Sequence, residues 1–248
     1  MAAATFNTEA VVLASTAVGE EDGIITFLTP GRGLLRAAAS SARNLKKGRA
    51  APLDLFVRTN LTVRTPVKEG KLKRVVSTTM IDPFLGIRSD YRRLCAASYV
   101  GQTVAHCIQE DDPAEATWDL VLYCLRKLDS GAAPYGVMLL FEVKLLRQMG
   151  ILPELKSCQK CGVEAGGEVF LDPGRGGIFH RRCTSMEYRG VLTAGDLAIL
   201  GYLAKCDLDA VSRLSVREED AMRIFRILHP FSVHHLGYEA KALGMLER

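Results

Sequence analysis

Residues 9–15 read EAVVLAS, residues 24–28 read IITFL and residues 34–39 read LLRAAA. Gly19-Glu-Glu-Asp-Gly23 separates the first two runs, and Pro30-Gly31-Arg32-Gly33 separates the second and third. Short β-branched or apolar runs punctuated by Gly, Pro and Asp read as strands joined by turns. On either side the pattern continues. Residues 40–50 are basic, contain Ser and Gly, and read as a loop. Residues 53–59, 60–65 and 73–79 read as further strands, with a turn over 68–71. Five or so short strands within about eighty residues predict a small barrel or sandwich.

From Asp82-Pro83 the periodicity becomes helical. Residues 87–107 repeat apolar positions at three and four. Asp112-Pro113 has the form of a helix start, and that helix is expected to run to about Leu128, before Gly131. Residues 135–149 contain VMLLFEVKLL and stop at Gly150, a predicted C′ glycine. Glu142 and Lys144 interrupt that run, so it is a central core helix rather than a membrane segment. Residues 157–188 break the pattern with cysteines and glycines. Helices then resume, with capping-box spacing at Thr193/Asp196 and at Ser215/Glu218, and a last amphipathic stretch over 234–246. The expected organisation is an α+β multidomain chain. A β-barrel domain covers 1–80, a helical domain covers 81–248, and a zinc-finger-like knuckle is inserted at about 155–188.

Hydrophobic residues make up 48% and charged residues 24% of the 248 residues, as in a folded globular protein. No apolar run approaches the roughly 18 residues needed to span a bilayer. The opening MAAATFNTEA lacks a basic region followed by an apolar core, so no secretory signal is expected. Seven cysteines is an odd number, and Cys95, Cys107, Cys124 and Cys206 lie in apolar helical contexts. That usage fits buried thiols in a reducing cytosol better than a disulfide framework.

Charge is divided unevenly. Residues 32–80 hold twelve Lys or Arg against Asp54 and Glu69, a local charge of +10 in a chain of net +4, so the rest sums to −6. A dense, local surplus among strand-like runs is expected to hold an extended polyanion, nucleic acid first. A solvated basic face is the alternative reading. Residues 81–248 carry twenty Lys or Arg against twenty-two Asp or Glu. Such a segment is a poor primary nucleic-acid site and a reasonable protein-docking one.

Cys158-x-x-Cys161 is followed after eighteen residues by His180-x-x-Cys183. Two close ligand pairs held apart by a glycine-rich span suit one tetrahedral zinc ion. Four protein ligands leave no open coordination position, so the expected role is structural. Two buried thiols and an exposed histidine remain the alternative. The sequence lacks HExxH, a phosphate-binding G-x-x-x-x-G-K-[ST], a G-x-S-x-G elbow and a dinucleotide fingerprint. His229, His234 and His235 read as packed or surface histidines. The runs Glu20-Glu21-Asp22 and Glu110-Asp111-Asp112 read as solvated acids at turns.

The order of several short motifs resembles a known family. They are Ala10-Val11-Val12-Leu13 with Gly19-Glu20-x-Asp22, and Leu28-Thr29-x-x-x-Gly33. Asp82-Pro83-Phe84 and residues 92–100 (RRLCAASYV) follow. Phe141-Glu142 leads through Gly150 into the cysteines, and His235-Leu236-Gly237 closes the series. Together they are similar to the bacterial DNA-repair RecO family, over essentially the whole chain. The resemblance implies an N-terminal OB fold and a non-enzymatic, cytoplasmic, nucleoid-associated role in recombinational repair. RecO-like proteins bind single- and double-stranded DNA and anneal complementary strands. With RecR they help load RecA onto DNA coated by single-strand-binding protein. The resemblance further implies that the acidic, apolar-ended tail of that protein docks on the helical domain, in an apolar pocket with a basic rim. One departure is that His180-x-x-Cys183 stands where members with a knuckle often have a second CxxC; some members lack the knuckle.

The expected DNA contacts are Arg32, Arg36, Arg43, Lys46, Lys47, Arg49, Arg58, Arg64, Lys71, Lys73 and Arg74. Arg88, Arg92 and Arg93 could extend the path, with helix-surface solvation as their plainer role. The only aromatic residues before residue 81 are Phe6, Phe27 and Phe56, so phosphate contacts should outweigh base stacking. An RNA-binding module on the same barrel, or a zinc-dependent enzyme acting on nucleic acid, are the competing readings.

Overall fold

The computed structural model describes residues 4–18, 22–39, 53–66, 72–184, 190–211 and 215–246. The chain packs as two compact units, residues 1–131 with 240–248, and residues 132–239.

In the first unit five strands close a barrel: β1 (Thr5–Val18), β2 (Asp22–Thr29), β3 (Gly33–Ala39), β4 (Arg58–Arg64) and β5 (Lys73–Asp82). Their order around the barrel is β1-β2-β3-β5-β4, with β1 also paired to β4. Every pairing is antiparallel except β3 with β5, the arrangement of an OB barrel. Ala10, Val12, Ile25, Phe27, Leu35, Ala37, Leu61 and Val63 fill the interior. Ala10, Ala37 and Ala39 among the larger core side chains suit a narrow barrel that cannot take large side chains at every level. A register shift between Val12 and Ala14 bends β1 as the barrel closes.

Four helices complete this unit: α1 (Leu85–Arg88), α2 (Tyr91–Cys107), α3 (Glu115–Asp129) and, near the end of the chain, α8 (Lys241–Leu246). Helix α2 lies against β1. A side chain at Gly101 would come within 3.2 Å of the Phe56 ring and 3.8 Å of Leu13. Val11 and Leu13 are therefore buried on the outer face while Ala10 and Val12 are buried inside. This two-sided burial is why residues 10–13 are continuously apolar rather than alternating.

Three expectations for this unit need correction. Residues 53–57 are not strand. Phe56 sits at φ 66 in a turn, its amide donates to the Val12 carbonyl, and Val57 N–H donates to Asp54 O. The two expected runs over 53–65 are thus one strand, β4. Residues 87–107 form two helices, because Asp90 caps α2 by accepting from Arg93 N–H at 3.0 Å. Helix α3 begins after Ala114 rather than at Asp112-Pro113; the Ala114 amide donates to Pro30 O.

The second unit is built on α4 (Pro134–Gln148), whose apolar run is buried from Val137 to Val143 and again at Leu145 and Leu146. Helices α5 (Ala194–Lys205) and α7 (Glu218–Leu236) pack against it, and α6 (Leu208–Val211) is a single short turn. Between α4 and α5 lie the paired strands β6 (Val169–Asp172) and β7 (Gly177–His180). Gly150, at φ 71, ends α4 in a Schellman motif: Ile151 N–H donates to Leu146 O and Gly150 N–H to Arg147 O. Thr193 and Asp196 form the expected capping box of α5.

Ser215 does not cap α7. The Glu218 carboxylate accepts instead from Tyr135 and Gly136 N–H, at the positive end of α4. Helix α7 stops at Gly237, φ 64, so residues 234–246 are divided between its last turn and α8. His229 is buried, stacked 5.0 Å from Phe225, with Nδ1 3.5 Å from the Glu142 carboxylate; His234 and His235 are exposed. All seven cysteines are free thiols. Burial pushes Cys107 up to about 11 and Cys124 higher still. Among the described residues no helix is long and apolar enough to cross a membrane.

Candidate metal centre and nucleic-acid interface

The cysteine knuckle is assembled from two tight turns. Gly162, at φ 69, lets Gly162 N–H return to Cys158 O at 2.8 Å, which closes the Cys158–Cys161 turn. The β6–β7 hairpin supplies the other pair. Asp172 Oδ1 accepts from Gly174 and Arg175 N–H and so sets the hairpin bend. Gln159 N–H donates to Ile178 O at 3.0 Å, and its side chain lies over Gly177, where an added Cβ would come 2.4 Å from Gln159 Cγ and force that side chain to move. These contacts seat the first turn on β7.

The result brings Cys158, Cys161, His180 and Cys183 together, with their donor atoms all within 4.8 Å of one another. A tetrahedral ion bonded to sulfur at 2.3 Å needs ligand atoms about 3.8 Å apart, so the set fits one metal ion of that kind. His180 presents Nδ1, 3.4 Å from Cys161 Sγ, while Nε2 lies 3.3 Å from Glu164 O. A backbone carbonyl on the far nitrogen fixes the tautomer that leaves Nδ1 free to ligate. Burial disfavours the Cys158 thiolate, but the backbone N–H groups of Cys161, His180 and Lys160 outweigh it and bring that thiol down to about 6. Burial, then the neighbouring sulfurs, pushes Cys183 up. These surroundings shift the two thiols in opposite directions, and a cation shared by them would stabilise both as thiolates.

The expected DNA-contacting cations fall into three groups. Arg43, Lys46, Lys47, Arg49 and Lys71 lie outside the described residues. Several others are held by acids. Arg58 donates through Nε and Nη2 to Glu9, at 3.2 and 2.7 Å. Arg88 bonds Asp54 at 3.1 Å and the Leu55 carbonyl at 3.0 Å. Arg93 reaches Gly86 O at 3.4 Å, while Arg92 lies in the first turn of α2. Arg32 and Lys73 both meet Asp111, at 3.6 and 2.7 Å, and Arg36 meets Glu110 at 3.4 Å. Glu110 and Asp111 are thus ion-paired rather than merely solvated. Sequence spacing carries no trace of this, because the partners are more than thirty residues apart.

Arg64 and Arg74 stand apart from these. They are directly opposite across the β4–β5 ladder, both exposed, and neither meets a carboxylate among the described residues. Like charges facing each other on adjacent strands are unfavourable on their own. The second unit also holds a concave site of about 670 Å³, whose lining includes Leu152, Leu155, Leu197, Tyr202, Lys156 and Lys205. Its residues come from both sides of the knuckle, so no single stretch of sequence announces it.

The family model for recombination protein O N terminal matches residues 1–84, and that for recombination protein O C terminal matches residues 88–243. Among curated proteins, the DNA repair protein RecO of Desulfosudis oleivorans is 30% identical over 253 residues, covering 98% of this chain and 97% of its own. The DNA repair protein RecO of Desulfatibacillum aliphaticivorans is 30% identical over 246 residues, covering 97% and 95%. That of Anaeromyxobacter sp. strain K is 29% identical over 240 residues, covering 96% and 94%. With both halves of the chain matched in order, by family models over residues 1–84 and 88–243 and by relatives over nearly the full length, the chain belongs to the RecO family of recombination and DNA-repair proteins.

Proposed function

We propose that this chain binds single- and double-stranded DNA through residues 1–80 and anneals complementary strands without nucleotide hydrolysis. With RecR it helps RecA replace single-strand-binding protein on DNA. The observation that carries the reading is Arg64 opposite Arg74 on an OB-ordered barrel. Two arginines facing each other across a ladder, with no carboxylate on either among the described residues, are relieved by an anion between them, and a phosphodiester backbone supplies a series of such anions. Contacts of this kind follow the phosphates and read no bases. A surface that neutralises two strands together lowers their mutual repulsion, which is what annealing needs. The Arg43, Lys46, Lys47, Arg49 loop belongs to the same proposed surface.

Zinc, in this reading, is structural. Cys158, Cys161, His180 and Cys183 would hold it, and it would tie the 158–161 turn to the β6–β7 hairpin. The four protein donors support a closed site over a catalytic one. The acidic tail of single-strand-binding protein is assigned to the concave site in the second unit, where Leu197 and Leu152 would take its apolar end and Lys156 and Lys205 its carboxylates.

The test is annealing of complementary oligonucleotides by the full chain, without nucleotide, alone and on DNA coated with single-strand-binding protein. The reading requires faster annealing than the strands show alone, a steep decline with salt, and comparable affinity for unrelated sequences. Tighter binding to single-stranded RNA than to DNA of equal length would favour the RNA-binding module instead.

A further inference from the structure

Glu110 and Asp111 occupy three cations of the barrel, and we infer that the loop carrying them is an internal competitor for DNA phosphates. The inference rests on the DNA reading proposed above and concerns how that surface is regulated. Asp111 lies between Arg32, at 3.6 Å, and Lys73, at 2.7 Å; Glu110 takes Arg36 at 3.4 Å. Two cations converging on one carboxylate form the same arrangement that would grip a phosphodiester oxygen. Arg32 is also set over the Phe6 ring, 4.2 Å from its centre, which orients the guanidinium.

The loop is fixed to the barrel rather than lying on it by chance. Leu34 N–H donates to Gln109 O at 3.0 Å, Asp111 N–H to Leu34 O at 3.4 Å, and Ala114 N–H to Pro30 O at 2.8 Å. Residue 33 must be glycine for the loop to approach. Gly33 has φ 54, and a side chain there would meet Asp112 O at 2.3 Å and Gln109 O at 2.6 Å. Asp111 itself sits at φ 59, a left-handed conformation that aspartate tolerates better than most residues. The backbone therefore holds the acid against the cations.

The contact is nevertheless displaceable. Arg32 and Asp111 side chains are 46% and 49% exposed, and Arg36 and Glu110 are 53% and 42% exposed. These two arginine pairs, so open to water, contribute about 0–1 kcal/mol each, while Lys73, only 17% exposed, holds Asp111 more closely. A phosphate arriving at Arg32 and Lys73 exchanges one anion for another, so it releases fewer counterions than it would at bare cations. The loop thus weakens DNA binding on this side of the barrel and keeps it readily reversible, while Arg64 and Arg74 meet no such competitor among the described residues.

The experiment is a binding cycle on the full chain with an unstructured single-stranded oligonucleotide, measured across a salt series. Glu110→Gln with Asp111→Asn removes both charges, keeps the side-chain shapes, and retains a residue suited to φ 59. The expected result is about three- to tenfold tighter binding and a plot of log affinity against log salt steeper by about one to two units. Adding Arg32→Ala and Lys73→Ala to that variant should abolish the gain. The inference is overturned if the amide variant binds like the parent with an unchanged slope, in which case the DNA reading stands. It is also overturned if the gain persists without Arg32 and Lys73, since the cations released by the loop are then not the ones that take the phosphates. If neither parent nor variant binds DNA at low salt, the DNA reading and the inference both fall.

Discussion

Arg223 holds Asp196 through two hydrogen bonds, Nη1 to Oδ2 at 2.8 Å and Nη2 to Oδ1 at 2.7 Å. The same carboxylate accepts from the Thr193 amide and hydroxyl, at 2.8 and 2.9 Å, so one buried acid caps α5 and joins it to α7. Burial favours the neutral form of Asp196. The Arg223 and Thr193 hydrogen bonds outweigh that and hold its pKa below the ordinary 3.8. A depressed folded-state pKa means a contribution that is complete above the unfolded value and is lost as pH falls through the folded one. Asp196→Ala should cost about 2–4 kcal/mol at pH 7, measured by urea unfolding. The difference between variant and parent should shrink only below about pH 4. A gap that closes already at pH 6 would refute this account.

The metal centre predicts a stoichiometry and a proton count. Protein purified without chelator should contain about one zinc per chain by elemental analysis. Zinc added to metal-free protein at pH 7 should release protons. Cys158, at about 6, is already mostly ionised there, whereas the raised Cys183 thiol must give up its proton. Cys158→Ser removes a candidate ligand that is 1% exposed. It should lower Tm by about 5 °C or more while changing DNA affinity less than twofold. A folded, metal-free chain with unchanged Tm would exclude a structural metal.

Some of this architecture was legible in sequence and some was not, and the division follows range. The knuckle was readable because each ligand pair is made by one local turn, and Cys-x-x-Cys spacing encodes that turn directly. Gly150 was readable for the same reason: a C′ glycine reports the αL residue next to it. The Leu53–Val57 error came from reading apolar content as strand, when Phe56 is apolar because it packs beneath Gly101 at a positive φ. Ser215 has ideal capping spacing, but Glu218 is taken by the α4 amides 82 and 83 residues away. Glu110 and Asp111 read as solvated acids for the same cause. Their partners Arg32, Arg36 and Lys73 are brought to them only by the closed barrel and the Gly33 contact.

The concave site gives a charge-reversal prediction. Arg147 lines it but is already engaged, donating to the Ala204 carbonyl at the end of α5, as Lys144 does to Cys206 O. Lys156 and Lys205 are exposed at its rim. Replacing both with Glu in the full chain should weaken binding of an acidic, apolar-ended peptide at least about tenfold, while DNA binding changes little. Calorimetric titration of the peptide reads this directly. Equal affinity in parent and variant, with the helical fold intact by circular dichroism, would remove the pocket as the tail site.

Arg64 and Arg74 yield a prediction in which stability and binding move in opposite directions. Facing each other on β4 and β5, they repel in the free protein, so Arg64→Ala should leave stability unchanged or raise it by up to about 1 kcal/mol. On the proposed DNA reading, the same change would also remove a phosphate contact. It should weaken binding to all sequences alike and flatten the log–log salt plot by about 0.7 units on single strands and 0.9 on duplex. Arg64→Ala with Arg74→Ala should flatten it by about twice that. Neutralising Lys46 and Lys47 should likewise flatten it by up to about two units if the basic loop follows the same strand. A residue kept for packing would behave differently, losing stability and binding together. Loss of stability in Arg64→Ala with an unchanged salt slope would therefore show that the paired arginines serve the barrel and not DNA.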